Sequence, residues 1–193
     1  MRRAFNEVKD QKQIDDILTH ALIGRLATQG GDGYPYITPL NYVYFRGAIY
    51  VHCAKSGEKL DNIARDNRVC FAVDRPLAYL DSAFDRSLPP CEVSQYYQSV
   101  VIRGRAEIVL DLEEKVAALN ALMAVHEGVL GYDAINGQSK AVNLCHVLAI
   151  RIESLSAKAN LGQKKPAEEK RRIADYLRGR GQEMDEETAR LLS

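Results

Sequence analysis

The chain has 193 residues, 46% hydrophobic and 27% charged, a length that suits one domain and a composition that excludes disordered, collagenous and repeat proteins. Lys plus Arg (26) equals Asp plus Glu (26), so no bulk positive field exists to hold nucleic acid or an acidic membrane, and neither partner is expected. The opening MRRAFNEVKD has no apolar stretch of the kind a secretory signal needs, and no later segment approaches the ~20 apolar residues of a membrane span, so a cytoplasmic protein is expected.

In chain order, Asp10 is a candidate N-cap, and Ile14, Ile17, Leu18 and Ala21 at i, i+3, i+4 and i+7 form the apolar stripe of a short packing helix. Residues 23–28 read as a strand. The run Gly30-Gly31-Asp32-Gly33 tolerates positive φ and suits the reversal of a hairpin. Residues 36–45 are β-branched and aromatic enough for the returning strand, Arg46-Gly47 is a tight turn, and residues 48–53 complete a meander. Ser56-Gly57-Glu58-Lys59 opens a helix with Leu60, Ile63 and Ala64 at helical spacing, ending near Asn67 before a strand over 68–74.

Residues 75–94 hold three of the six prolines and read as an irregular excursion of the sort that covers a pocket. A long strand over 98–110 follows. Asp111 then caps a helix carrying Val116, Leu119, Leu122, Met123 and Val125, and residues 145–152 give a last strand. About six strands with few helices favour a small barrel. Residues 164–193 shift to charge, eight Lys/Arg against seven Asp/Glu. Pro166 suits a first helical turn, Arg178 and Arg180 suit a last turn, and Gly179 or Gly181 can end it. The expected organisation is one domain over 1–155 with a charged helical extension over 156–193 packed on it.

The four cysteines, Cys53, Cys70, Cys91 and Cys145, show neither a CxxC pair nor metal-ligand spacing, so reduced thiols, no disulfide and no metal are expected. Chemistry concentrates elsewhere. At Ser56-Gly57-Glu58-Lys59 a strand hands over to a helix, where backbone N–H groups, the helix dipole and the Lys59 charge could converge on a phosphate; a solvated cap followed by an exposed lysine is the plainer alternative. Pro39 marks an edge or a break in pairing, and the free backbone groups there, with Asn41, could meet the polar rim of a flat heterocycle or simply blunt the edge. His52 could donate a proton to a bound substrate or merely pack. Cys53 reads as a small buried filler. His20, His126 and His146 stand alone and read as structural.

LAT followed by DGYPYITPLNYVYF, then IYVHCAKSGEKLDNIARDNRVCFAVD, and later YYQSVVIRGRAEIV together resemble the pyridoxamine-5′-phosphate-oxidase-like FMN-binding split barrels, over roughly residues 20–155. The histidine of IYVHCA resembles the nitroimidazole-resistance branch. The resemblance implies a mainly β fold, a six-stranded antiparallel split β-barrel with flanking helices, forming a homodimer with FMN in clefts at the subunit interface. It implies that Thr38, Pro39, Leu40, Asn41 and Tyr42 line the flavin edge, largely through backbone groups. His52 and Cys53 would then lie by the ring and ribityl chain, Lys59 on the phosphate, and Gln98 and Ser99 would reach the flavin from the partner chain. His52 is the candidate catalytic residue. Tyr79, Tyr96 and Tyr97 could help close the cleft.

Departures narrow the activity. Pyridoxine-phosphate oxidases carry an arginine where this chain has Glu58, a basic residue where Thr38 stands, and a C-terminal arginine and histidine that grip the vitamin; residues 167–193 contain no histidine. Vitamin B6 oxidation is therefore not expected. The expected activity is an FMN-dependent oxidoreductase that passes electrons from a nicotinamide donor to a small electrophilic or nitroaromatic substrate. The stretch LAIRIESLSAKANLGQKKPAEEKRRIADYL also resembles flavin-binding relatives that include negative transcriptional regulators, with Lys158, Lys164 and Lys165 either facing an anionic ligand or solvated. The alternative is a flavin- or haem-binding regulatory or cofactor-sequestering protein without turnover. Split barrels accommodate FMN, F420 or haem, and the Lys59 seat favours FMN.

Overall fold

The computed structural model describes residues 4–87, 89, 93–128 and 131–192. Among them are eight strands: β1 (Glu7–Val8), β2 (Ile23–Gln29), β3 (Pro35–Asn41), β4 (Val43–Phe45), β5 (Ala48–Cys53), β6 (Arg68–Leu80), β7 (Ser94–Ile108) and β8 (His146–Asn160). The α-helices are α1 (Gln11–His20), α2 (Glu58–Arg65), α3 (Leu112–Glu127), α4 (Lys140–Leu144), α5 (Ala167–Arg180) and α6 (Asp185–Leu192). The strand order is β3-β2-β6-β7-β8-β5-β4, with β1 on β8, and the pairs β2–β3, β2–β6, β4–β5, β5–β8 and β1–β8 are antiparallel. The mainly β, antiparallel split-barrel class is therefore borne out, with eight strands in place of six.

Each departure has a local cause. The strand read over 36–45 is two, because Tyr42 turns its ring into the core and donates its hydroxyl to Leu18 O at 2.6 Å. Its ring packs edge-on against Phe71, 5.1 Å between centroids. The excursion read over 75–94 begins only after Leu80: β6 continues through Pro76 to Leu80, and the Ala78 amide donates to Thr188 Oγ1 at 2.8 Å. Cys91, in that excursion, lies outside the described residues. β8 runs to Asn160 because Ala157 and Ala159 alternate, buried, with exposed Ser156 and Lys158, and β1 pairs with that extension. The tail holds two helices. Gly181, at φ 66°, ends α5 by donating its N–H to Leu177 O.

The chain divides into two compact units, one from 1–17, 74–100 and 156–193, the other from 18–73 and 101–155. In the first, Leu77, Leu80 and Tyr96 pack with Ile173, Leu177 and Leu192 of α5 and α6. Arg180 there joins Asp185 and Asp81, both at 2.6 Å, so several cations of the charged tail are paired internally. In the second, α3 packs on β4 and β5, burying Leu119 and Leu122 against Val43, Tyr50 and Ala149. Asp111 caps α3 by accepting from Glu114 N at 2.7 Å. β3 also packs against β5, the last strand but one of the order, within this unit.

Candidate functional site

The expected β3, β5 and α2 residues all fall in the second unit. Strand periodicity splits the β3 set. Thr38 and Leu40, opposite Leu26 and Gly24, face inward and are half-buried, whereas Pro39 and Asn41, opposite Arg25 and Ile23, face outward and are exposed. Four successive side chains therefore cannot serve one ligand from this strand. Tyr42 offers no side chain outward, being 1% exposed. Thr38 Oγ1 is buried without a hydrogen-bond partner among the described residues, a polar atom that ordinarily costs free energy.

At the end of β5, Cys53 is buried and His52 is exposed on the opposite face. Burial pushes the Cys53 thiol above its ordinary pKa, the Lys59 ammonium opposes that shift, and Cys145 adds to it. Cys53, Cys70 and Cys145 are free thiols. Among the described residues no group of three or more His, Cys, Asp or Glu could hold a metal.

Helix α2 starts at Gly57 with φ 131° and ψ 161° and no side-chain cap. Leu60 and Asp61 donate their N–H groups to Gly57 O, while the preceding first-turn amides have no intrahelical acceptor. Lys59 is half-buried and has no carboxylate partner among the described residues. Open amides, the positive end of the helix dipole and an ammonium are the kinds of group that favour an anion. Exposed Glu58 and Asp61 in the same turn oppose it.

Gln98 and Ser99 belong to the first unit. Gln98 is buried, and its Oε1 accepts from Arg75 Nη1 at 3.2 Å; Arg75 also pairs with Glu187 and lies 3.8 Å from Asp16. Ser99 is half-buried. Tyr96 is core, whereas Tyr79 is exposed. His126 Nε2 lies 3.3 Å from Tyr42 O. A cleft of about 600 Å³ beside α2, lined by Leu60, Ile63, Arg65, Asp66, Asn67 and Ile108 among others, was not anticipated. Nor was the buried Asn62. Its one sequence signal is an amide three residues after Lys59, on the flank where Ile63 packs.

A family profile described as pyridoxamine 5′-phosphate oxidase matches residues 10–159. The chain belongs to the pyridoxamine 5′-phosphate oxidase family. Solved structures agree in fold. A candidate 5-nitroimidazole antibiotic resistance protein from Bacteroides thetaiotaomicron VPI-5482 has a TM-score of 0.67 at 23% identity, covering 79% of this chain and 86% of that one. An FAD- and heme-binding protein from Mycobacterium smegmatis has 0.68 at 20%, covering 88% and 80%. An FAD-binding protein from Mesorhizobium loti has 0.56 at 24%, covering 80% and 96%. No curated protein matches the chain. No helix among the described residues is long and apolar enough to cross a membrane.

Proposed function

We propose that this member of the family is an FMN-binding oxidoreductase that reduces small electrophilic or nitroaromatic compounds with a nicotinamide donor. The observation that carries the reading is the half-buried Lys59 ammonium, without a carboxylate partner among the described residues, at the uncapped start of α2. Phosphate belongs there, because the seat offers a full positive charge and open amides together. Three other features fit a flavin. β3 ends the strand order and leaves backbone groups free on its outer edge, Thr38 Oγ1 is a buried polar atom in want of a partner, and structural neighbours include FAD-binding proteins.

FMN, when bound, supplies the redox chemistry, accepting and passing on electrons. This chain's residues do the rest. Lys59 holds the phosphate, the β3 backbone orients the ring edge, and Cys53 stays a neutral thiol that excludes water from the strand end. His52, exposed on the opposite face of the strand end, offers its ring nitrogens for a hydrogen bond to a substrate. Ser99 completes the site across a homodimer interface, with Gln98 held beside it by Arg75.

Anaerobic mixing of FMN-loaded protein with NADH or NADPH tests the activity. Loss of the visible flavin band, and its return on adding a nitroaromatic, is the expected result. No bleaching with either donor would remove the reductase and leave the second reading, a flavin- or haem-binding regulatory or sequestering protein, which the likeness to an FAD- and heme-binding protein favours.

A further inference from the structure

Helix α2 is tied to the β2–β3 hairpin by polar groups as well as apolar ones. Asn62, 2% exposed, donates from Nδ2 to Thr28 Oγ1 at 3.0 Å. Its Oδ1 accepts from Arg65 Nη2 at 2.9 Å, and the same nitrogen donates to Gln29 O at 2.6 Å. Thr28, 3% exposed, turns its own hydroxyl toward Tyr36 O on β3, at a longer 3.5 Å. One connected set of hydrogen bonds therefore runs from β3 through β2 to α2 and back to the end of β2.

Such a network is a poor way merely to attach a helix. Burying an amide costs free energy that its hydrogen bonds only offset, and Ile63, 7% exposed, already supplies apolar attachment. Direction is what hydrogen bonds add. Apolar contact allows α2 to slide or roll, whereas acceptors at Thr28 Oγ1 and Gln29 O fix it along and around its axis. Lys59 lies three residues before Asn62 and so on an adjoining part of the same helix flank. Whatever fixes Asn62 fixes the ammonium and the first-turn amides relative to β3, two residues along from Tyr36.

We propose that Thr28, Asn62 and Arg65 are positioning residues, a clasp that holds Lys59 in register with β3 and so makes the site select a 5′-phosphorylated flavin over riboflavin. The inference rests on the FMN reading above. It assigns no ligand contact to the three residues. They act through Lys59.

The test measures dissociation constants of FMN and riboflavin for the full-length protein freed of cofactor, by quenching of flavin fluorescence, in wild type, Lys59→Ala, Arg65→Ala, Thr28→Val and Lys59→Ala/Arg65→Ala. Arg65 is exposed, so its truncation leaves the core filled even if Thr28→Val destabilises the fold. Wild type is expected to prefer FMN. Arg65→Ala should cut that preference about tenfold, the lower end of what outer-shell partners contribute at bound-group sites, with riboflavin affinity unchanged. In the Lys59→Ala background, removing Arg65 should change the preference no further. Equal losses for both flavins, or an undiminished further loss without Lys59, would overturn the clasp while leaving the FMN reading intact. Wild type that binds neither flavin, or both alike, would overturn the FMN reading itself and the clasp with it.

Discussion

Gly57→Ala separates backbone strain from steric conflict at the start of the proposed phosphate seat. Gly57 has φ 131° and ψ 161°, and an added Cβ meets no atom within 4 Å, so any cost comes from conformation alone. Residues other than glycine in this region carry about 1–3 kcal/mol of strain. For a domain of this size 1 kcal/mol lowers Tm by about 2–4 °C, so the variant should melt about 2–12 °C lower if the helix start keeps its shape. If the backbone relaxes instead, the melting change shrinks and the first-turn amides move, which weakens FMN binding. Thermal unfolding of the cofactor-free protein and an FMN titration read the two outcomes. Unchanged Tm together with unchanged FMN affinity would refute the claim that this conformation builds the seat.

Gly104→Ala is the steric counterpart. Its Cβ would lie 2.1 Å from Arg151 O, backbone that cannot swing aside, so a loss of about 3 kcal/mol or more is expected from urea unfolding; a loss below about 1 kcal/mol would show that β7 and β8 can part there. Glu58→Gln removes an exposed carboxylate next to Lys59 and should tighten FMN about two- to fivefold at low salt, the scale of one charge at a helix N-terminus, and leave riboflavin unaffected. Weaker FMN binding would place the phosphate elsewhere. Because burial raises the Cys53 thiol pKa, the reactive thiolate is scarce at neutral pH and grows only as pH climbs past the ordinary cysteine range. Iodoacetamide should therefore label Cys53 slowly at pH 7 and faster above about pH 9, as followed by peptide mass spectrometry; fast labelling at pH 7 would contradict the assignment.

What could be read from the sequence is what neighbours along the chain decide. Asp10 and Asp111 accept from amides three residues on, and the 30–33 turn closes through Gly30 N to Tyr34 O and Tyr34 N to Asp32 Oδ1. The succession of strands along the chain and the SGEK helix start follow from equally local patterns, whereas the order in the sheet, with β2 beside β6 and β5 beside β8, does not. Distant partners decide the rest. The break at Tyr42 goes with its bond to Leu18, and the Ala78 amide of β6 finds its partner in Thr188, 110 residues on. Asn62 reads as one more polar position on a surface helix until Thr28 is brought beneath it. Gln98 looks available for a ligand in sequence, yet its carboxamide oxygen is already taken by Arg75. At β3 the strand itself was legible, and the alternation that sends Thr38 and Pro39 to opposite faces limits what their side chains can do.

The most direct test of a phosphate-anchored flavin is the absorption spectrum of the freshly purified protein, with the released cofactor identified by chromatography, for wild type and Lys59→Ala. A yellow wild type that releases FMN, and a variant whose FMN affinity falls by the roughly 1.5–3 kcal/mol of a charge-assisted contact, is the predicted result. Wild-type protein that stays colourless after incubation with FMN, or a Lys59→Ala protein that retains FMN as tightly as wild type, would contradict it.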